Sequence, residues 1–221
     1  AHDGRDAYMP AAGFGNGIFL VAWQSGRTGP GDIREGLTFV GDLVACRVDG
    51  SGKILDEKPL VISAAPDLQE RPRIASDGKN FLVVWQDLRN GRDSSKPGPG
   101  QGYDVYAARV TAEGKVLDPD GILVCGGKGN QCNPQVAWDG KAFQVVWQDF
   151  RSGQFYEVYG GRVSAQGKAL DAGGVKLAAA NGGKHQRYTP DVASTGGGKS
   201  LVLWAGGHGR NADAGSVFVA D

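Results

Sequence analysis

The sequence lacks the features that mark membrane proteins and nucleic-acid-binding proteins. No apolar run approaches the roughly 20 residues that a membrane-spanning helix needs. The longest runs, at 18–23 and 81–85, have the length of a strand. Basic and acidic residues number 24 each, so there is no general cationic excess for binding nucleic acid or an anionic membrane. We therefore expect neither a membrane span nor a nucleic-acid partner.

Motifs of common catalytic and metal sites are also absent. The histidines His2, His185 and His208 are scattered and form no spaced set of metal ligands. No zinc, haem, phosphate-loop or nucleophile-elbow motif occurs. No segment combines a sustained 3.6-residue apolar period with helix caps, so almost no helix is predicted.

An internal repeat of about 60 residues organises the chain. Its start is marked by prolines spaced 62, 62 and 56 residues apart: Pro10, Pro72, Pro134 and Pro190. Tryptophans follow at nearly the same spacing and are predicted to lie in a core between repeats: Trp23, Trp85, Trp147 and Trp204. The four repeats cover approximately residues 10–71, 72–133, 134–189 and 190–221, all within one domain.

Each repeat reads as four short strands. The strand after proline leads into a turn such as Asp77-Gly78, which suits a tight hairpin because these residues tolerate positive φ. The second strand is a continuous apolar run that ends at tryptophan, as expected of a strand buried on both faces. A third strand with small residues at its centre and a short fourth strand complete the unit.

These repeats predict an all-β fold, a four-bladed β-propeller whose blades are four-stranded antiparallel sheets. Residue Asp221 falls in the third strand of the last repeat, so the last blade is predicted to lack its outer strand. Its edge, at Ser216, Val217 and Phe218, is then open to pairing with another protein chain. An open half of a larger ring, completed by a second chain, is the alternative.

The motif W-Q-D-x-R occurs at 85–89 and again at 147–151, followed in both copies by a V-Y strand and G-K-x-L-D. In these motifs the chain resembles a repeat of exported, largely uncharacterised bacterial proteins of β-propeller type. The resemblance covers essentially the whole chain and is clearest in the middle repeats. It implies a propeller and export to the periplasm, the cell surface or the medium, and it implies no activity.

The start of the chain is compatible with export. It begins at Ala1 rather than at methionine, as removal of an export signal, trimming or proteolysis would each leave it.

Charged residues recur with the repeat. Asp87 and Asp149 follow the tryptophans, and Arg47, Arg109 and Arg162 lie in the third strands. We predict that these groups pair between adjacent strands, because guanidinium and carboxylate groups match in shape. A catalytic group is needed once rather than once per blade, so recurrence favours a structural role. Repeated ligand pockets, one per blade, are the alternative.

Positions at which the copies differ are candidates for binding. Trp138 stands where other repeats have serine, and Tyr103, Phe155 and Tyr156 lie at the ends of variable loops. Loops on a rigid scaffold commonly carry binding residues. We expect these four aromatic residues to contact a ligand or partner.

The acidic turn at 118–121 offers oxygen atoms of the kind that Ca²⁺ takes. It lacks the full spacing of a calcium loop, and turn chemistry alone explains its composition. No cofactor is therefore predicted, and Asp118 and Asp120 are the candidates if calcium binds.

Three cysteines are present. Cys46 occupies a slot that alanine and glycine fill in other repeats, which indicates a small buried residue. Cys125 and Cys132 lie seven residues apart, where a hairpin could bring them to disulfide distance. A disulfide and two free thiols are equally compatible with the spacing.

The recurring motifs favour a non-enzymatic exported scaffold, and the missing outer strand of the last blade favours binding to another protein within a larger assembly. A lectin-like glycan-binding module that uses the loops is one alternative. A hydrolase with a single site at the propeller axis is another, and it requires a carboxylate there without a counterpart in the other blades. The Asp-box signature expected of sialidase-like propellers is absent.

Overall fold

The structure, a computed structural model, describes residues 7–26, 41–91, 102–177, 186–208 and 211–220. For residues 186, 207, 208 and 211–220 the description covers the backbone only. All regular elements in these ranges are strands, as the absence of helical periodicity predicts. No helix there could cross a membrane.

The strands form four antiparallel sheets, each ordered as in the chain. The first contains β1 (Ala7–Gly15), β2 (Ile18–Gly26), β3 (Gly41–Asp49) and β4 (Leu60–Ser63). The second contains β5 (Gln69–Ser76), β6 (Asn80–Asp87), β7 (Asp104–Thr111) and β8 (Ile122–Cys125). The third contains β9 (Gln131–Trp138), β10 (Ala142–Asp149), β11 (Glu157–Ser164) and β12 (Val175–Lys176). The fourth contains β13 (Gln186–Ser194), β14 (Ser200–His208) and β15 (Asn211–Ala220).

The sheets pack side by side through their first strands. β1 packs on β5, β5 on β9, and β9 on β13, so the first strands are innermost and the sheets radiate from them. This is how the blades of a β-propeller are arranged. In the described ranges no comparable packing joins β13 to β1, so these four blades form an arc that is open at that point.

Each blade packs the tryptophan-bearing face of its second strand on the blade before it. Trp85 shares a core cluster with Leu20 of the first blade. Trp147 lies in a cluster with Leu82, and Trp204 in one with Val146. These three tryptophans therefore lie between blades, as predicted.

Trp23 departs from that prediction and is only half-buried, because no described blade packs on its side of the first blade. Phe14 and Phe19 are exposed there by 59% and 39%. At the other end of the arc, Leu203 of the fourth blade is 42% exposed. Both ends of the arc thus carry apolar side chains of the kind that the inner blades bury.

The W-Q-D-x-R motif forms a hydrogen-bonded unit within its blade. Trp85 Nε1 donates to Asp87 Oδ2 at 2.7 Å, and Arg89 Nη2 donates to the same oxygen at 2.6 Å. The Arg89 guanidinium lies 4.0 Å from the centre of the Tyr106 ring. The third blade repeats these contacts with Trp147, Asp149, Arg151 and Tyr159.

The third-strand arginines pair with other partners than predicted. They bind the aspartates nine residues further along the chain, in the pairs Arg47–Asp56, Arg109–Asp118 and Arg162–Asp171. The predicted pairing with Asp87 and Asp149 is wrong because those carboxylates are taken by arginines of their own motif. The backbone explains the nearer partner, since Leu117 N donates to Arg109 O and so holds the next residue beside the arginine.

Acid is expected to weaken the Arg109–Asp118 pair. Burial alone would raise the pKa of the Asp118 carboxyl, but hydrogen bonds from Arg109 outweigh it and hold the pKa below its ordinary 3.8. The stability from this pair is complete above the unfolded pKa and is lost as the pH falls through the lower folded one. Asp118→Asn should therefore reduce the free energy of unfolding by about 1–2 kcal/mol at neutral pH. The deficit should shrink below about pH 4. Urea denaturation at several pH values measures this, with Asp120→Asn as the control.

Gly174 is expected to be intolerant of a side chain. It has a φ of +75°, and an added Cβ would overlap the indole ring of Trp147. Its neighbour Gly173 has a φ of +76° with open space around it. We expect Gly174→Ala to lower the free energy of unfolding by about 2–4 kcal/mol and Gly173→Ala by about 1 kcal/mol. Equal losses in urea denaturation would show that the contact with Trp147 contributes nothing.

Candidate functional site

The four innermost strands share an irregularity near their first residues. A β-bulge occurs there in each, around the X-Pro dipeptide. The residue before proline has a positive φ in every blade: Met9 at 51°, Arg71 at 56°, Asn133 at 52° and Thr189 at 45°. A non-glycine residue in this region costs about 1–3 kcal/mol and persists only where its surroundings impose it. Such strain is concentrated at functional sites, which makes this end of the strands the candidate site.

The glutamine of the W-Q-D motif holds this conformation in the next blade. Gln86 Oε1 accepts a hydrogen bond from Asn133 N at 2.9 Å, and Gln148 Oε1 accepts one from Thr189 N at 3.2 Å. Both glutamines are buried. The motif therefore positions the axial residues as well as packing its own blade.

The side chains presented at this position differ from blade to blade. The two residues before proline are Tyr8-Met9, Glu70-Arg71, Cys132-Asn133 and Tyr188-Thr189. The same backbone conformation thus presents a different pair of side chains on each of the four neighbouring strands. We call these eight residues the axial ring.

Glu70 is the only carboxylate of the axial ring. Gln86 Nε2 donates to Glu70 Oε1 at 2.6 Å, and the Tyr103 hydroxyl lies close to both side chains. Burial, and then the nearby Glu70 carboxylate, raises the pKa of Tyr103 well above its usual range. Tyr103 therefore stays protonated. Glu70 is held in one orientation by neutral groups and has no carboxylate counterpart in the ring.

In the third blade a cysteine and a tyrosine occupy the equivalent places. Cys132 corresponds to Glu70 and Tyr156 to Tyr103, and the side chains of Cys132 and Tyr156 lie close together. Burial raises the pKa of Cys132 to about 11, so it is a protonated thiol. The Tyr156 ring lies 6.4 Å from that of Tyr188, which is 39% exposed. These two rings form an aromatic wall between the third and fourth blades.

The structure brings only some of the predicted binding residues to the axial ring. Tyr103 and Tyr156 lie there. Trp138 lies at the other end of β9, half-buried against Phe143 with ring centres 4.8 Å apart, because it completes the packing between the second and third blades. Phe155 is half-buried in its loop, where its carbonyl accepts a hydrogen bond from Ser152 Oγ.

The predicted edge is described by its backbone. β15 pairs with β14, with Phe218 opposite Val202, Val217 opposite Leu203 and Ser216 opposite Trp204. The side chains of Ser216, Val217 and Phe218 lie outside the described residues. The fourth sheet has three strands in the described ranges, and pairing of its edge with another chain stays a prediction.

The disulfide that the spacing allows is not formed. Cys125 and Cys132 are both free and buried. Cys125 ends β8 at the outer edge of the second blade, where its sulfur lies 3.3 Å from Arg151 Nη2. Cys132 lies in β9, the innermost strand of the third blade. The segment between them crosses from one blade to the next and is not a hairpin.

All three thiols are expected to resist alkylation in the native protein. Each of Cys46, Cys125 and Cys132 is buried, and burial raises the pKa of each, while alkylation requires an accessible thiolate. Iodoacetamide should label none of them before unfolding and all of them in urea without a reductant. A thiol that reacts only after reduction would contradict this, as read by mass spectrometry.

The predicted calcium candidates do not form a site in the described ranges. Both carboxylate oxygens of Asp118 are bonded to Arg109, so the use of Asp118 as a ligand is wrong. Asp120 contributes its backbone carbonyl, which accepts a hydrogen bond from Arg89. No group of three or more potential ligands lies together among the described residues.

A cavity of about 390 Å³ lies away from the axial ring, between the third and fourth blades. Two exchanges open it: Gln144 stands where the second blade has Leu82, and Gly160 where it has Ala107. The Asp139 carboxylate beside it is bonded to Gln144 Nε2 at 2.7 Å and to backbone amides. The cavity is therefore a loosely filled interface between blades, and the axial ring remains the candidate site.

No protein-family model and no curated protein matches this chain. Solved structures match it at the level of fold. A protein of unknown function from Dyadobacter fermentans has a TM-score of 0.62 and 18% identity, over 94% of this chain and 64% of that one. An α-L-arabinofuranosidase from Lactobacillus brevis has a TM-score of 0.54 and 12% identity, over 96% and 71%. An α-L-arabinanase from Cellvibrio cellulosa, complexed with arabinohexaose, has 0.51 and 11%, over 96% and 72%.

The fold is of the β-propeller type. The chain spans 64% of the first of these structures and somewhat more of the other two. The identities are low, so the likeness establishes architecture and leaves the chemistry to be argued from the axial ring.

The likeness also corrects the interpretation that the sequence favours. The arabinofuranosidase and the arabinanase named above are glycosidases, which contradicts the expectation of a non-enzymatic scaffold and the expectation that the chain is not an enzyme. The sequence argument failed because recurring motifs describe how blades pack. Glu70 lies in the axial ring, where the blades differ, and belongs to no recurring motif.

Proposed function

We propose that the chain is a glycoside hydrolase of β-propeller type, with its active site at the axial ring. Glu70 carries the proposal, because it is an oriented carboxylate at the axial end of the innermost strands and has no carboxylate counterpart in the axial ring. A carboxylate that is not repeated from blade to blade indicates a functional site, whereas one that recurs in each blade indicates a structural ion pair. The two matched glycosidases with the same fold support sugar cleavage as the reaction.

Glycoside cleavage uses two carboxyl groups on either side of the bond. The described innermost strands carry two carboxylates, Glu70 on β5 and Asp191 on β13. Glu70 is held by the hydrogen bond from Gln86 Nε2, which suits the group that must be aligned with the anomeric carbon or the attacking water. Asp191 is exposed and follows the bulge of its strand, where it suits exchange of a proton with the leaving oxygen.

The aromatic side chains suit a sugar ligand. Tyr8 and Tyr188 are 37% and 39% exposed, and Tyr156 lies beside Tyr188. Such rings present a flat apolar face with a polar tip, which matches a sugar ring and its hydroxyls. They also favour the second candidate, a lectin-like site that binds a glycan without cleaving it.

We infer that a further blade packs between the first and the fourth blade, so that the propeller does not close as a ring of four. The apolar faces at Phe19 and Leu203 support this, since the blades between them bury the equivalent faces. The greater length of the matched structures also favours it.

A substrate panel tests the proposed function. Arabinohexaose, aryl arabinofuranosides, xylo-oligosaccharides and oligogalacturonides would be incubated with the protein, and released reducing ends and products measured. We expect cleavage of at least one of them. Binding of an oligosaccharide without release of product would favour the lectin-like candidate, and neither binding nor cleavage by folded protein would exclude both.

A further inference from the structure

The described arginines divide into two groups by their partners. Five are ion-paired with an aspartate of the blade framework, namely Arg47, Arg89, Arg109, Arg151 and Arg162. Arg71 and Arg73, both on the innermost strand β5, have no ion pair within the residues that the structure describes. Arg187 is also unpaired there, but its guanidinium lies over the Trp204 ring at 5.9 Å.

Arg73 is a half-buried cation held in place by neutral groups. Its Nε donates to Gln135 Oε1 of β9 at 3.0 Å, and its Nη1 donates to Pro72 O at 2.7 Å. The first of these bonds joins adjacent innermost strands, and the second stays within β5. Its Nη2 has no bonding partner in the part of the chain described. Partial burial of a charge is unfavourable without a counter-charge, so a fixed guanidinium with a free edge is suited to an anionic ligand.

Arg71 places a second cation two residues away. It is exposed, and its backbone is held in the strained conformation of the axial ring. Its positive charge lowers the pKa of Tyr103 in the second blade and of Cys132 in the third, so it lies within electrostatic reach of both. Arg71 is adjacent to Glu70 in the chain, and Arg73 lies two residues further along the same strand.

We propose that Arg71 and Arg73 bind the carboxylate of an acidic sugar, so that the substrate carries a uronate unit next to the bond that is cleaved. The planar fork of a guanidinium matches a carboxylate through two parallel hydrogen bonds. Sulfate and phosphate esters share the negative charge, and the experiment separates them from a uronate. The inference rests on the proposed function and narrows it to a substrate class.

Binding of trigalacturonate and of its uncharged methyl ester, measured by calorimetry, tests the inference. We expect the acid to bind at least tenfold more tightly than the ester. Arg71→Gln and Arg73→Gln should each weaken binding of the acid by about 10- to 100-fold and leave binding of the ester unchanged. Arg71→Lys should recover only part of the loss, because it keeps the charge without the fork. Arg162→Gln, at an exposed pair on β11, is the matched control.

Equal binding of acid and ester would overturn the inference, as would binding of inorganic sulfate or phosphate as tight as that of trigalacturonate. Failure of the wild-type protein to bind trigalacturonate would overturn it too. Cleavage of neutral arabinohexaose with no preference for the acid would refute the inference that the substrate carries a uronate. It would leave the proposed glycoside hydrolase function unaffected. Absence of cleavage across the whole panel would refute that function separately.

Discussion

Replacing Asp149 by alanine is expected to lower the free energy of unfolding by about 3–5 kcal/mol. Asp149 is almost fully buried. One of its oxygens accepts from Trp147 Nε1 at 2.9 Å and from Arg151 Nη2 at 2.5 Å, and the other accepts from Arg151 N and Nε at 2.9 Å. Alanine would leave a guanidinium and an indole N–H without their acceptor inside the protein. Urea denaturation measures the loss.

Two further variants separate the buried unit from ion pairing in general. Asp149→Asn keeps an acceptor for Trp147 Nε1 and removes the charge, so its loss should be smaller than that of Asp149→Ala. Asp171→Ala breaks a pair whose arginine side chain is 52% exposed, and should cost about 1 kcal/mol or less. A loss for Asp149→Ala no larger than that for Asp171→Ala would show that the buried unit adds nothing to stability.

Replacing Glu70 by glutamine is expected to lower kcat on the best substrate of the panel by about 10²- to 10⁴-fold. Glutamine has nearly the same shape and still offers an oxygen to Gln86 Nε2, so the fold should be unchanged. The carboxylate, which glutamine cannot supply, is the group that the reaction needs. The binding constant of the substrate should change much less than kcat, because the aromatic wall and the arginines remain.

The matched control for Glu70 is Glu113→Gln. Glu113 is an exposed turn residue far from the innermost strands, and its replacement should leave kcat within about twofold of wild type. Tyr103→Phe tests whether Tyr103 positions Glu70. It should lower kcat less than Glu70→Gln does, and it should shift the pH dependence of kcat. Full activity of Glu70→Gln would remove Glu70 from the mechanism.

The sequence predicts the strands well because each is specified locally. The apolar run that ends at Trp85 becomes β6, and its copy ending at Trp147 becomes β10. Turn glycines such as Gly78 and Gly140 have the positive φ that a tight turn requires. These features depend on neighbours in the chain, so periodicity and turn residues are sufficient to find them.

Contacts between blades could not be predicted in the same way. The bond from Asn133 N to Gln86 Oε1 joins residues 47 positions apart, and nothing local to either residue indicates it. Whether the arc closes depends on the angle between blades, which the repeat does not encode residue by residue. The site could have been found by aligning the two residues before each proline, where Glu70 stands alone among tyrosine and cysteine.

Hydrogen exchange of the Glu70→Gln variant, with and without the best substrate of the panel, tests most directly whether the axial ring is the active site. The variant should bind that substrate without consuming it. We predict slower exchange at the axial ends of the innermost strands, at 69–73, 131–135 and 187–191, with no change around Trp138 at the other end of β9. Protection confined to the Trp138 end, or to the cavity between the third and fourth blades, would contradict the assignment.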